Sequence, residues 1–184
     1  METKQLEYQS KRDNLSEVYK DLISVINLFP EKSPNDVLKY VEYAPGYSME
    51  YFDSTLESLD YQIEHYKNQL SIPNIDYRRE NNIKMQISNR EYAKKEIFEI
   101  RDKYYMARDK YRSFFEFYKV IFDLYAGQDV LNCLVKFDVV IHNVFICGYS
   151  VGDVYDPINN IIKISRHELI NSMRNDINDI QNKW

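Results

Sequence analysis

The chain has 184 residues, 44% of them hydrophobic and 29% charged, with a net charge of −5, which excludes a disordered acidic tail and a membrane protein. Four glycines and two cysteines argue against a Gly-rich nucleotide fold and a disulfide framework, and the absence of an 18-residue uncharged apolar run predicts no membrane span. The mild acidity weakens the case for a nucleic-acid partner without removing it, because a local basic face can outweigh the global sum.

Residues with A/T-rich codons outnumber those with G/C-rich codons, which points to an A/T-rich genome. The N-terminal stretch METKQLEYQSKRDN has no apolar segment of signal-peptide type. Together with Cys133 and Cys147 read as reduced thiols, this sets the expectation of a cytoplasmic protein, in host cytoplasm if phage-encoded.

In chain order, Tyr8, Leu15, Tyr19, Leu22, Ile26 and Phe29 recur at helical steps, skipping Arg12, and Pro30 stops the run. Ser33 before Pro34 reads as an N-cap followed by a first helical residue. That short helix ends near Ala44-Pro45-Gly46. A strict heptad follows: Met49, Phe52, Leu56, Leu59, Ile63, Tyr66, Leu70. Connector Ser71–Ile87 is long for a helical hairpin. Ser88 and Glu91 then form a capping box, opening a second heptad: Ala93, Ile97, Ile100, Tyr104, Ala107, Tyr111, Phe114, Tyr118, Ile121, Tyr125. Gly127 stands where a C′ glycine belongs.

The two heptads predict an antiparallel hairpin of 49–70 and 89–126. Its expected layers pair Ile63 with Ile97, Leu59 with Ile100, Leu56 with Tyr104, Phe52 with Ala107 and Met49 with Tyr111. The flanking ion pairs would be Asp53 with Arg108 and Asp60 with Arg101. Past Gly127 the period changes to two. Cys133, Val135, Phe137, Val139 and Ile141 alternate with polar residues, predicting a strand that turns at His142-Asn143 into Val144–Ile146. Asn159-Asn160 predicts another hairpin, and Ser165 with Glu168 a capping box opening a helix with Ile170, Met173, Ile177, Ile180 and Trp184 on one face. The alternative for 128–147 is a buried helix continuing the bundle. The expected class is therefore α+β, predominantly helical: a helical bundle with a long hairpin over 1–127, then a small β-meander and C-terminal helix over 128–184, packed as one unit.

Catalytic and metal chemistry find no support in spacing. His65, His142 and His167 lie on different elements, and no CxxC, HxxxH, HExxH, GxSxG or Walker A pattern occurs. No catalytic, cofactor-binding or metal residue is expected. Both cysteines read as small core residues. Asp102, Asp109, Glu116 and Asp123 recur every seven residues and read as a solvated stripe, or a docking stripe for a basic partner. Of 17 tyrosines, those on the seams read as core. Tyr43, Tyr47, Tyr51, Tyr61, Tyr77, Tyr92 and Tyr105 lie off them as binding candidates.

The connector, with Tyr77, Arg78, Arg79 and Lys84, is aromatic and basic on an acidic chain and is the first candidate for partner recognition. Lys94, Arg101, Lys103, Arg108, Lys110 and Arg112 are the alternative, as phosphate contacts of a nucleic-acid-associated protein. No family motif is present. A short, acidic, A/T-rich chain without a catalytic signature is, by association, like small accessory proteins of phages and mobile elements that block a host enzyme or defence complex. The expectation is a non-enzymatic protein-binding module, an inhibitor or adaptor acting by steric occlusion. An enzyme with an unmotifed site between the helical and β parts is the third reading. An uncovered aromatic patch would make the protein a homodimer.

Overall fold

The structure is a computed structural model describing residues 2–182; side chains 2–5, 8, 12 and 180–182 lie outside the described set. The seam positions expected of Tyr8, Ile180 and Trp184 therefore fall outside it, as does the skipped Arg12. Among the described residues six helices account for the regular structure: α1 (Glu2–Ile26), α2 (Pro34–Leu38), α3 (Phe52–Leu70), α4 (Tyr77–Tyr125), α5 (Gln128–Phe145) and α6 (Ile161–Asn182). Among the described residues there is no strand, only one isolated bridge between Gly152 and Asn160. The α+β expectation is corrected to an all-α fold.

The correction rests on α5. The same residues carry two periods. Val130, Leu134, Phe137, Val144 and Phe145 are buried at helical spacing, while Val135 and Val139, inward on a strand reading, are exposed. β-Branched content favours a strand only weakly, and burial of the helically spaced residues between α6 and the rings of α4 and Phe29 outweighs it. His142 and Asn143 lie inside the helix rather than in a turn. Asn159-Asn160 is no hairpin either. Asn160 caps α6, its Oδ1 accepting from the N–H groups of Ile162 and Lys163, each at 3.1 Å. Ser165 is consequently inside the helix and buried.

Four helices form an antiparallel ring: α1, the C-terminal half of α4, α5 and α6. The directions follow from paired contacts. Tyr118 donates to Asp21 and Lys11 lies over Tyr125; Tyr104 stacks on Phe145 while Tyr111 meets Phe137; Lys136 faces Glu168 while Gly127 meets Asp176; Arg166 reaches Glu31 while Tyr19 reaches Asp176. The space between α4 and α5 is filled by rings. Phe29, just past α1, contacts Tyr104, Tyr111 and Phe137 at 6.4, 5.7 and 5.6 Å between centroids. Gly127 is not a left-handed C′ residue; it is the N-cap of α5 with φ −67°. Its lack of a side chain matters because a Cβ there would lie 2.3 Å from Asp176 Oδ1.

Loop 146–160 is tied down by buried polar groups rather than by a sheet. Ser33 caps α2 as its sequence context predicts, and Asp36 accepts from the Ser33 and Val151 amides and from the Ser150 hydroxyl. Asn35 Nδ2 donates to the carbonyls of Tyr47 (2.9 Å) and Gly148 (2.6 Å). Gly148 sits at φ +78°, with Tyr47 O where a Cβ would be, so only glycine fits.

Beyond the bundle, α3 and the N-terminal half of α4 form an arm. α4 has 49 residues, about 73 Å at 1.5 Å per residue. The connector is six residues, 71–76, not seventeen. Asp76 caps α4 by accepting from the Arg78 and Arg79 amides, so Ser88 and Glu91 are mid-helix rather than a capping box. The register slides accordingly. Asp53 pairs with Arg101 (2.7 Å) and Asp60 with Lys94 (2.5 Å), each one heptad nearer the N-terminus of α4 than expected. Phe52 packs on Tyr104 and Tyr105.

The reason is a polar layer in the seam. Read backward from Ala93, the heptad continues through Arg90, Gln86 or Ile87, and Ile83. Arg90 is only 1% exposed. Its Nε donates to Gln62 Oε1 (2.8 Å), Nη1 to Gln86 O and Oε1 (3.0 and 2.6 Å), and Nη2 to the Glu42 carbonyl (2.5 Å). The guanidinium lies 4.6 Å from the Tyr66 ring centroid. Gln86 Nε2 donates onward to Glu42. Below this layer a second apolar cluster, Ile63, Ile83 and Ile87 with Tyr66, Leu70 and Ile75, closes the end of the arm.

Candidate interaction surfaces

The four residues expected to recognise a partner lie in the first turns of α4, not in a loop. Tyr77, Arg78, Arg79 and Lys84 are all exposed. Tyr77 and Lys84, seven residues apart, share one helix face. Lys84 pairs with Glu80 at 2.6 Å. Arg78 and Arg79 make no ion pair among the described residues. Exposed Ile72 and Met85 stand beside them in the chain. Two cations in the first turn oppose the positive end of the helix dipole, offset there by Asp76 alone, since Glu80 is engaged.

The six residues of the alternative basic flank divide. Lys94, Arg101 and Arg108 are held by α3 and its approach: Lys94 by Asp60, Arg101 by Asp53, Arg108 by Glu50 at 3.5 Å. Hydrogen bonding to Asp53 is the main reason the Arg101 pKa is raised. Lys103, Lys110 and Arg112 are exposed, but Arg112 is turned roughly 160° around the helix from the other two. No continuous cationic track results.

Among the off-seam tyrosines, Tyr43, Tyr51, Tyr61, Tyr77 and Tyr92 are exposed. Tyr47 is buried and donates to the Phe145 carbonyl at 2.7 Å, and Tyr105 is half-buried under Arg108, 4.7 Å from its ring. Sequence reasoning missed Tyr155, on loop 146–160, because the Asn159-Asn160 hairpin signal places it in a strand. With Val154 it overhangs a groove of about 640 Å³ between the α1–α2 connection and α4. At the groove floor Lys32 and Glu96 pair at 2.6 Å. That bond chiefly raises the Lys32 pKa, which holds the amine protonated and unsuited to act as a base.

The residues named for an enzyme site do not converge. Cys147 and His142 are exposed, and neither lines the α5–α6 groove, where Cys133, Lys136, Glu168 and Asp176 meet. Cys147 is thus no core residue, as its apolar surroundings in sequence had suggested. Among the described residues no three His, Cys, Asp or Glu side chains are placed to hold a metal ion. His65 meets Gln69 on its own helix. No helix among them is long and apolar enough to cross a membrane. No family model, curated protein or solved structure matches the chain.

Proposed function

We propose that the protein is a non-enzymatic protein-binding module that recognises an acidic surface with the tip of its α3–α4 arm. One observation carries this reading: Tyr77, Arg78 and Arg79 are exposed on a capped, rigid helical turn, with both arginines unpaired among the described residues. Tyrosine and arginine dominate binding hot spots. Presenting them on a helix rather than a loop lowers the ordering cost of association. The arginines oppose the helix dipole, so the free protein bears an electrostatic cost that an acidic partner relieves. Binding there blocks the partner's surface sterically, with the bundle as bulk.

Two variants test it. Tyr77, Arg78 and Arg79 replaced together by Ala should lose partner capture in affinity purification from the source cells, with an unchanged melt. Arg78→Glu with Arg79→Glu should also lose capture while melting no lower, because acidic residues favour a helix N-terminus by roughly 0.3–1 kcal/mol each. Retained capture by either variant would overturn the assignment to the tip.

A further inference from the structure

α4 carries a second heptad, facing away from the bundle. Met106, Lys110, Ser113, Phe117, Val120 and Leu124 step 4, 3, 4, 3, 4 and lie about 120° around the helix from the buried seam. The last three are 78%, 67% and 65% exposed. Three neighbouring apolar side chains at a/d spacing form the contact line of a helix pair, and none of the described residues covers them.

The flanks decide what fits. On one side stand Asp109, Glu116 and Asp123, again at heptad spacing and all exposed. Asp109 is engaged by Arg108 at 3.2 Å. Glu116 and Asp123, beside the apolar ridge, make no ion pair among the described residues. On the other side α1 is packed, held by Tyr118 on Asp21 (2.7 Å) and by Lys11 over Tyr125. A second copy fits this line poorly in either direction. Antiparallel pairing about a two-fold sets the acidic flank against itself, and parallel pairing needs the flank that α1 covers. A helix with its own apolar line and lysine or arginine beside it satisfies both the ridge and the free carboxylates.

We propose that the outer face of α4 over 113–124 is a second docking surface, and that its occupant is a basic amphipathic helix of a partner protein. It lies roughly 55–70 Å along α4 from the arm tip, so both surfaces can be engaged at once and the molecule acts as a two-ended adaptor. The ridge assignment stands independently of the tip.

The test uses the full chain and two labelled 21-residue helical peptides, each with leucine at a and d. One carries lysine at e and g, the other glutamate. Fluorescence anisotropy should show the lysine peptide bound and the glutamate peptide not. Phe117→Ser with Leu124→Ser should weaken the lysine peptide by roughly tenfold or more. Glu116→Lys with Asp123→Lys should transfer preference to the glutamate peptide, a gain that misfolding cannot produce. Substituting Tyr77, Arg78 and Arg79 should leave peptide binding unchanged. Equal binding of the two peptides, or indifference to the ridge substitutions, would overturn the proposal. So would concentration-dependent self-association of the chain that the Phe117/Leu124 variant abolishes, because it would make a second copy the occupant.

Discussion

At the scale of the residue, Arg90 is the most consequential side chain of the arm. Its donors are spent on Gln62, Gln86 and the Glu42 carbonyl, and removing it strands those acceptors in a buried layer. Arg90→Ala should cost about 2–4 kcal/mol in denaturant unfolding. A loss below 1 kcal/mol would show that water enters the layer freely. The buried tyrosines make a second prediction. Burial foremost raises the hydroxyl pKa values of Tyr19, Tyr47, Tyr104 and Tyr111, with Asp176, Glu50 and Asp138 carboxylates adding to the effect at Tyr19, Tyr104 and Tyr111 respectively. A raised folded-state pKa means that the unfolded chain releases these protons first. Their stabilisation is complete below about pH 10, the ordinary tyrosine value, and is lost as pH climbs beyond it. Tyrosinate absorbance should therefore show an exposed class titrating near pH 10 and a second class appearing only with loss of helical dichroism. A single smooth titration of the folded protein would contradict the packing of these rings.

Among the elements, the α3–α4 hairpin makes the sharpest structural prediction, because its register is set by the polar layer. In a background with Cys133 and Cys147 replaced by Ser, Asp60→Cys with Lys94→Cys should be joined by a short thiol-reactive cross-linker. Asp60→Cys with Arg101→Cys, one heptad away, should not. The opposite outcome would restore the register that apolar spacing alone suggests. Heptad positions Leu56, Leu59, Ala93, Ile97, Ile100, Tyr104 and Ala107 are buried, and period 3.6 was enough to find them. Gln86 and Arg90 interrupt that period chemically while continuing it geometrically, so the first three turns of α4 read as loop. In α5 the ambiguity had another source: a short apolar run satisfies periods of two and of 3.6 together. The choice depended on packing against α6 and on the rings of Phe29 and Tyr111 against Phe137, which is not local information. Tip residues Tyr77, Arg78 and Arg79 were identifiable from composition, but their presentation on a helix was not. The ridge at Phe117, Val120 and Leu124 lies off the seam heptad, so seam periodicity alone does not mark it.

On the scale of the whole molecule, one helix joins two unlike ends. The arm tip is cationic and aromatic; the ridge over the bundle is apolar with free carboxylates along one flank. Such separation along 49 residues suits a rigid spacer between two partners, or an obstacle laid across one. The central claim is recognition at the tip, and site-specific photo-crosslinking tests it most directly. A benzophenone side chain placed in turn at positions 61, 77 and 120 in source cells should give from position 77 a discrete adduct with an acidic protein. The Arg78→Glu/Arg79→Glu background should remove that adduct and leave any adduct from position 120 intact. No adduct from position 77, or one that survives the charge reversal, would contradict the account.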